Sequence, residues 1–126
     1  MISLMRTKCI PILLYATEAC PLISRTVQSL EFAVTRLFMK ILRTSSPDLV
    51  KECQFNFSFL PIKYQLRIRT AYFLQKFAAS QNSICLLFAR NAKRHLIDIF
   101  GNGNSRPKSA CEYRNVIWDQ FGSGLI

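Results

Sequence analysis

The chain has 126 residues, half of them hydrophobic and 19% charged, with ten Phe and only four Gly. That length suits one core rather than two independent ones, and the balance is too apolar for a disordered chain and too poor in turn residues for an all-β one. Seventeen Lys and Arg against seven Asp and Glu leave a formal charge of +10, which suits a polyanionic partner, nucleic acid or acidic lipid, with plain solubility as the bland alternative.

From about Ile2 to Tyr15 the apolar residues are too dense for a surface helix, and Pro11 removes an interior hydrogen bond; a buried, kinked helix fits. The apolar run Cys9 to Ala16 follows Arg6 and Lys8, but it is short, contains Pro11 and meets Glu18, which argues against a secretory leader. No stretch approaches the roughly 18 to 20 apolar residues that a membrane span needs. Cys20-Pro21 biases the chain toward an extended link.

Ser24 is the expected cap of a helix from about Arg25 to Leu42. Val27, Leu30, Val34, Leu37 and Ile41 recur at three and four residues, the signature of a core-facing stripe. At 100° per residue, Arg25, Arg36, Lys40 and Arg43 share a sector of roughly 60° away from that stripe, with no acid among them. An ordinary solvated face and a phosphate-facing stripe both account for this sector, although like charges along a helix destabilise it slightly. Phe32 and Met39 lie beyond the sector and suggest burial on a second side.

Thr44-Ser45-Ser46-Pro47 reads as a turn and a helix start, with Ser46 as cap, Pro47 at the first helical position and Asp48 at the positive dipole end. A short helix should run to about Phe55, and Phe55, Phe57, Phe59 and Leu60 form a buried connector. Pro61 to Ala79 follows as a helix with Leu60, Tyr64, Ile68, Ala71 and Ala78 on one side and Ile62, Leu66, Phe73 and Phe77 on another, hence a central helix. Its polar seams hold Lys63 and Arg67, and Gln65, Arg69 and Lys76.

Ser80 to Ser83 breaks that helix and caps the next, from about Ile84 to His95 or beyond, with Cys85, Phe88, Ala89, Ala92 and Leu96 inward. Arg90, Lys93, Arg94 and His95 end it, a cluster that the helix dipole partly explains, and His95 reads as a surface cap residue. Gly101 to Pro107 is a linker, with no lysine of the phosphate-loop kind. Ser109 and Glu112 then form a capping box for a final helix to about Phe121, loosely attached to the rest.

Five cysteines at 9, 20, 53, 85 and 111 have no close pair of the sort zinc sites use, and read as buried free thiols in a reducing compartment. No local constellation proposes catalysis: one histidine sits among cations, and only Asp48 and Glu52 among the acids stand at helical spacing, as surface partners of Lys51. The residues therefore describe an all-α bundle of about five helices, with no enzyme activity, cofactor, metal or small-molecule substrate.

Leu13-Leu14-Tyr15-Ala16-Thr17-Glu18-Ala19-Cys20-Pro21-Leu22, followed by Leu30-Glu31-Phe32, Arg36, Phe38-Met39-Lys40-Ile41 and Thr44, resembles the region after the palm in reverse transcriptases of non-LTR (LINE-like) retrotransposons. In that family a leucine-leucine-tyrosine-glycine motif with a following glutamate opens the thumb; Ala16 stands at the glycine, and Cys20 where many relatives carry an aromatic residue. The likeness is good from Lys8 to Thr44, about a third of the chain, weaker through Phe59, and beyond that one of helical character alone.

The resemblance implies a thumb-like helical bundle that packs on a template-primer duplex, contacting phosphates without reading sequence. The palm aspartates that hold two magnesium ions in that family have no counterpart here. The expectation is a catalytically incomplete fragment with a thumb-like domain over 1–100, a linker over 101–108 and a C-terminal helix over 109–126. It would lie inside the cell, in cytoplasm or nucleus, and hold an RNA/DNA duplex through Arg25, Arg36, Lys40, Arg43, Arg69 and Lys76, with the missing palm and fingers as a further partner. The alternatives are a helical module for a protein or membrane surface, and a decayed remnant without function.

Overall fold

The first helix, α1, winds in three abutting pieces, Ile2–Leu4, the wider π turn Met5–Cys9 and Ile10–Leu13. The π turn lies one turn before Pro11, whose ring would otherwise press on the carbonyl of Thr7. It also sets the packing. Met5, Ile10 and Leu14, spaced five and four apart, are all buried, because a five-residue turn brings Met5 and Ile10 onto one face. The rest of α1 is not the buried rod expected: Leu4, Ile12 and Leu13 are exposed.

The computed structural model describes residues 1–20, 22–100 and 110–125, and among them the chain is all-helical, with no strand. After α1 come α2 (Ser24–Leu42), α3 (Pro47–Asn56), α4 (Ile62–Ala79), α5 (Ser83–Phe100) and α6 (Ala110–Leu125), six helices among the described residues. The link at Pro21, the segment 101–108 and the Ser109 half of the capping box lie outside the described residues.

Two apolar clusters hold the bundle. Met5, Ile10, Leu14, Val34, Phe38, Val50, Phe59, Ile62 and Leu66 form the larger, where α1, α2, α3 and α4 meet. Phe38 is fully buried, its ring edge-on to Phe59 with centroids 4.9 Å apart. Leu60, Ile117 and Phe121 centre the smaller, with Tyr64, Ile68 and Trp118 packed against it. The two apolar sides of α4 thus serve two cores, and α4 touches α2, α5 and α6.

Several local expectations need correction. In α2, Phe38 rather than Leu37 fills the core, and Leu37 is partly exposed: the inward stripe is centred about half a residue step from the one the spacing suggests. The helix starts at Ser24 with Ile23 before it and no side-chain cap. Ser46 precedes α3 without capping by its side chain; instead its own N–H donates to Thr44 Oγ1 at 3.2 Å. Within the expected capping segment Ser80 to Ser83 it is Asn82 that caps α5, its Oδ1 accepting from the Ile84 N–H at 3.0 Å.

Phe88, which the spacing places inward, is exposed. In the connector, Phe59 and Leu60 are buried but Phe55 and Phe57 are partly exposed. The final helix is not loosely attached: Tyr113, Ile117 and Phe121 are buried, Trp118 stacks on Phe55 with centroids 5.5 Å apart, and the Tyr113 hydroxyl donates to Gln75 Oε1 at 2.7 Å. Burial, and secondarily the charge of Glu112, push the Tyr113 phenol above its usual range.

Candidate nucleic-acid interface

Helix α2 ends in a left-handed residue. Arg43 has φ 51° and ψ 43°, and its N–H and that of Thr44 both return to the Met39 carbonyl. Glycine is the usual residue at such an end because it carries no Cβ to crowd the turn. An arginine there turns the chain back across the last turn of α2, and Arg36, Lys40 and Arg43 line one open groove of about 400 Å³ with Phe32, Met39, Thr44 and Ser45.

The groove lining holds three cations and no carboxylate. Arg36, Lys40 and Arg43 are all exposed. Phe32 is 66% exposed, and the Arg36 guanidinium lies 5.8 Å from its ring centroid. Phe32 is therefore not a buried second side of α2 but an apolar plate on its basic side. The sequence suggests burial for Phe32, although its place one turn before Arg36 is a signal for the basic side.

The other predicted cations fall elsewhere. Arg25 is exposed on the same helical side but stands about 16 Å from Arg36 along the axis. Lys76 is exposed on α4, its ammonium 4.5 Å from the Tyr72 ring centroid. Arg69 is half-buried: it donates to the Leu14 carbonyl at 2.9 Å and faces Glu18 Oε2 at 3.6 Å. That carboxylate oxygen has no hydrogen-bond partner, so the pair is held by charge beyond hydrogen-bond reach.

Arg69 and Glu18 brace a turn that carries the motif residues. Ala16 has φ 58°, in the left-handed region. The Leu14 carbonyl also accepts from Thr17 Oγ1 at 2.7 Å, and the Ala19 N–H donates to the Ala16 carbonyl at 3.2 Å. Tyr15 stands out into solvent.

A larger cleft of about 730 Å³ lies beside this turn, with Lys63, Arg67 and exposed His95 on its walls. Glu18 shares that cleft, so its positive charge is partly offset. Cys9, Cys20 and Cys111 are exposed and Cys53 and Cys85 half-buried, all free, against the expectation of buried thiols. Among the described residues no three His, Cys, Asp or Glu side chains gather as metal ligands, and no helix is long and apolar enough to cross a membrane. No family model, curated protein or solved structure matches the chain.

Proposed function

We propose that this chain is a thumb-like module related to those of non-LTR retrotransposon reverse transcriptases, and that it holds an RNA/DNA duplex by its backbone without reading sequence. The observation that carries the reading is the groove of Arg36, Lys40 and Arg43, free of carboxylates and edged by exposed Phe32. Three cations along one groove match a row of phosphates.

The turn at Ala16 adds support. Its φ of 58° is a conformation glycine adopts freely, and glycine is what the family motif carries there. Arg25 extends the contact along α2, while Arg69 stands apart from that groove and braces the turn instead of meeting the duplex. Duplex holding is the whole of the proposed activity; copying would need the palm aspartates. Fluorescence anisotropy with a labelled hybrid duplex tests it: affinity falls with salt on a log-log slope between about −2 and −4, and a slope near zero would refute it.

One observation favours a second reading, a module that docks on an anionic membrane surface. Ile84, Leu86, Leu87 and Phe88 open α5 as a run of exposed apolar residues, ahead of exposed Arg90, Lys93 and Arg94. Co-sedimentation with phosphatidylserine vesicles but no duplex binding would favour it over the first.

A further inference from the structure

A second pocket, of about 410 Å³, is separate from the α2 groove and draws on both ends of the chain. Arg6 from α1, Arg69 from α4 and Arg114 from α6 line it over an apolar floor of Phe59, Leu60 and Ile68, and its lining contains no carboxylate. Two of the arginines are fixed on one anchor. Arg6 donates to the carbonyls of Phe57 and Ser58 at 2.7 and 3.2 Å, and Arg114 donates to the same Ser58 carbonyl at 3.0 Å. Ser58 itself is left-handed, with φ 52°, a costly conformation for a residue with a Cβ.

Capping the end of α3 accounts for only part of this arrangement. Each of these two guanidiniums uses one terminal nitrogen on carbonyl oxygens and keeps the rest of its five-donor fork. The donating nitrogens of Arg6 and Arg114 are no more than about 6 Å apart, where like charges repel appreciably unless an anion lies between them. Carbonyl dipoles orient the pair but carry no net charge to offset it. Arg69 adds a third guanidinium, its charge partly offset by Glu18 Oε2 at 3.6 Å.

We infer that this pocket binds a phosphomonoester carried on a compact, partly apolar body of mononucleotide size, the phosphate taken by the Arg6, Arg69 and Arg114 forks and the body lying on Phe59, Leu60 and Ile68. Guanidinium forks match phosphate oxygens in pairs, and forks already fixed on Ser58 lose little freedom on binding. The volume is in the range of small-ligand sites. The inference stands independently of duplex binding by α2.

Cys111 gives a direct readout, because it is exposed and lines this pocket, whereas exposed Cys20 lines the other cleft. The full chain is alkylated with iodoacetamide in the presence of adenosine monophosphate, and each cysteine is followed by peptide mass spectrometry. Saturating nucleotide slows Cys111 at least about tenfold, with half-protection below about 1 mM, and leaves Cys20 unchanged. Arg6→Gln with Arg114→Gln raises the half-protecting concentration at least about tenfold.

Replacing Arg36, Lys40 and Arg43 by Ala leaves the protection intact. A 5′-phosphorylated oligonucleotide that protects as well shows that strand ends are accepted; one that does not shows a free nucleotide as ligand. No protection of the unaltered chain at about 10 mM nucleotide, or equal protection by adenosine, would overturn the inference, and neither result depends on the variants folding.

Discussion

The Arg36 guanidinium rests 5.8 Å from the centroid of the Phe32 ring, one helical turn away, on the side of α2 that faces away from the core. A ring so exposed contributes little to folding, so its value lies in what it holds. Phe32→Ala is expected to change stability by less than about 0.5 kcal/mol while weakening duplex binding severalfold, because Arg36 loses the plate that orders it. Thermal unfolding and anisotropy on the same preparation check both halves.

Arg43 separates stability from binding more sharply. Its left-handed backbone costs roughly 1 to 2 kcal/mol relative to glycine, offset in part by the extra freedom glycine gives the unfolded chain. Arg43→Gly is expected to stabilise the fold by about 0.5 to 1 kcal/mol and to weaken duplex binding, reducing the salt slope by about 1. A variant that is more stable and binds equally well would show that Arg43 is a helix-end residue only.

Ala16→Gly follows the same arithmetic without touching a cation. Relief of the φ of 58° should stabilise the chain by about 0.5 to 1 kcal/mol, whereas Ala16→Val, with a branched Cβ in the same turn, should destabilise it by more than that. Urea unfolding midpoints at constant slope measure both.

Much of the helical plan was legible because it is local. The three-and-four spacing along α2, the Pro47 start of α3 and the two apolar sides of α4 each depend on residues within a few turns. What escaped depends on tertiary partners. The five-residue interval from Met5 to Ile10 matches no helical period until a π turn is allowed, and Phe38 displaces Leu37 because Phe59 comes to meet it from another element.

The site followed the same division. The wheel placed Arg36, Lys40 and Arg43 together because one helix sets their angles, but Arg69 was out of reach of such reasoning: its partners Leu14 and Glu18 lie some fifty residues away. Phe32 was misjudged since apolarity predicts burial on average, and only the absence of a covering element leaves it open.

Tyr113 provides a pH prediction. Burial and Glu112 raise its phenol, so between the unfolded value near 10.0 and the higher folded one the folded chain holds a proton that the unfolded chain has lost. Stability from this group is therefore complete below about pH 10 and falls as pH rises through the folded value. The alkaline loss of helix should be smaller in Tyr113→Phe than in the parent chain. Parallel helicity and tyrosinate absorbance titrations of both proteins read the difference.

The most direct test of duplex holding is the salt dependence of binding in the parent chain and in a variant with Arg36, Lys40 and Arg43 all replaced by Ala. The three side chains are exposed, so the variant keeps its helicity. The groove account predicts that its log-log slope is shallower by about 2 to 3, with affinity at low salt reduced at least about a hundredfold. Equal slopes and equal affinity for the two proteins would contradict it.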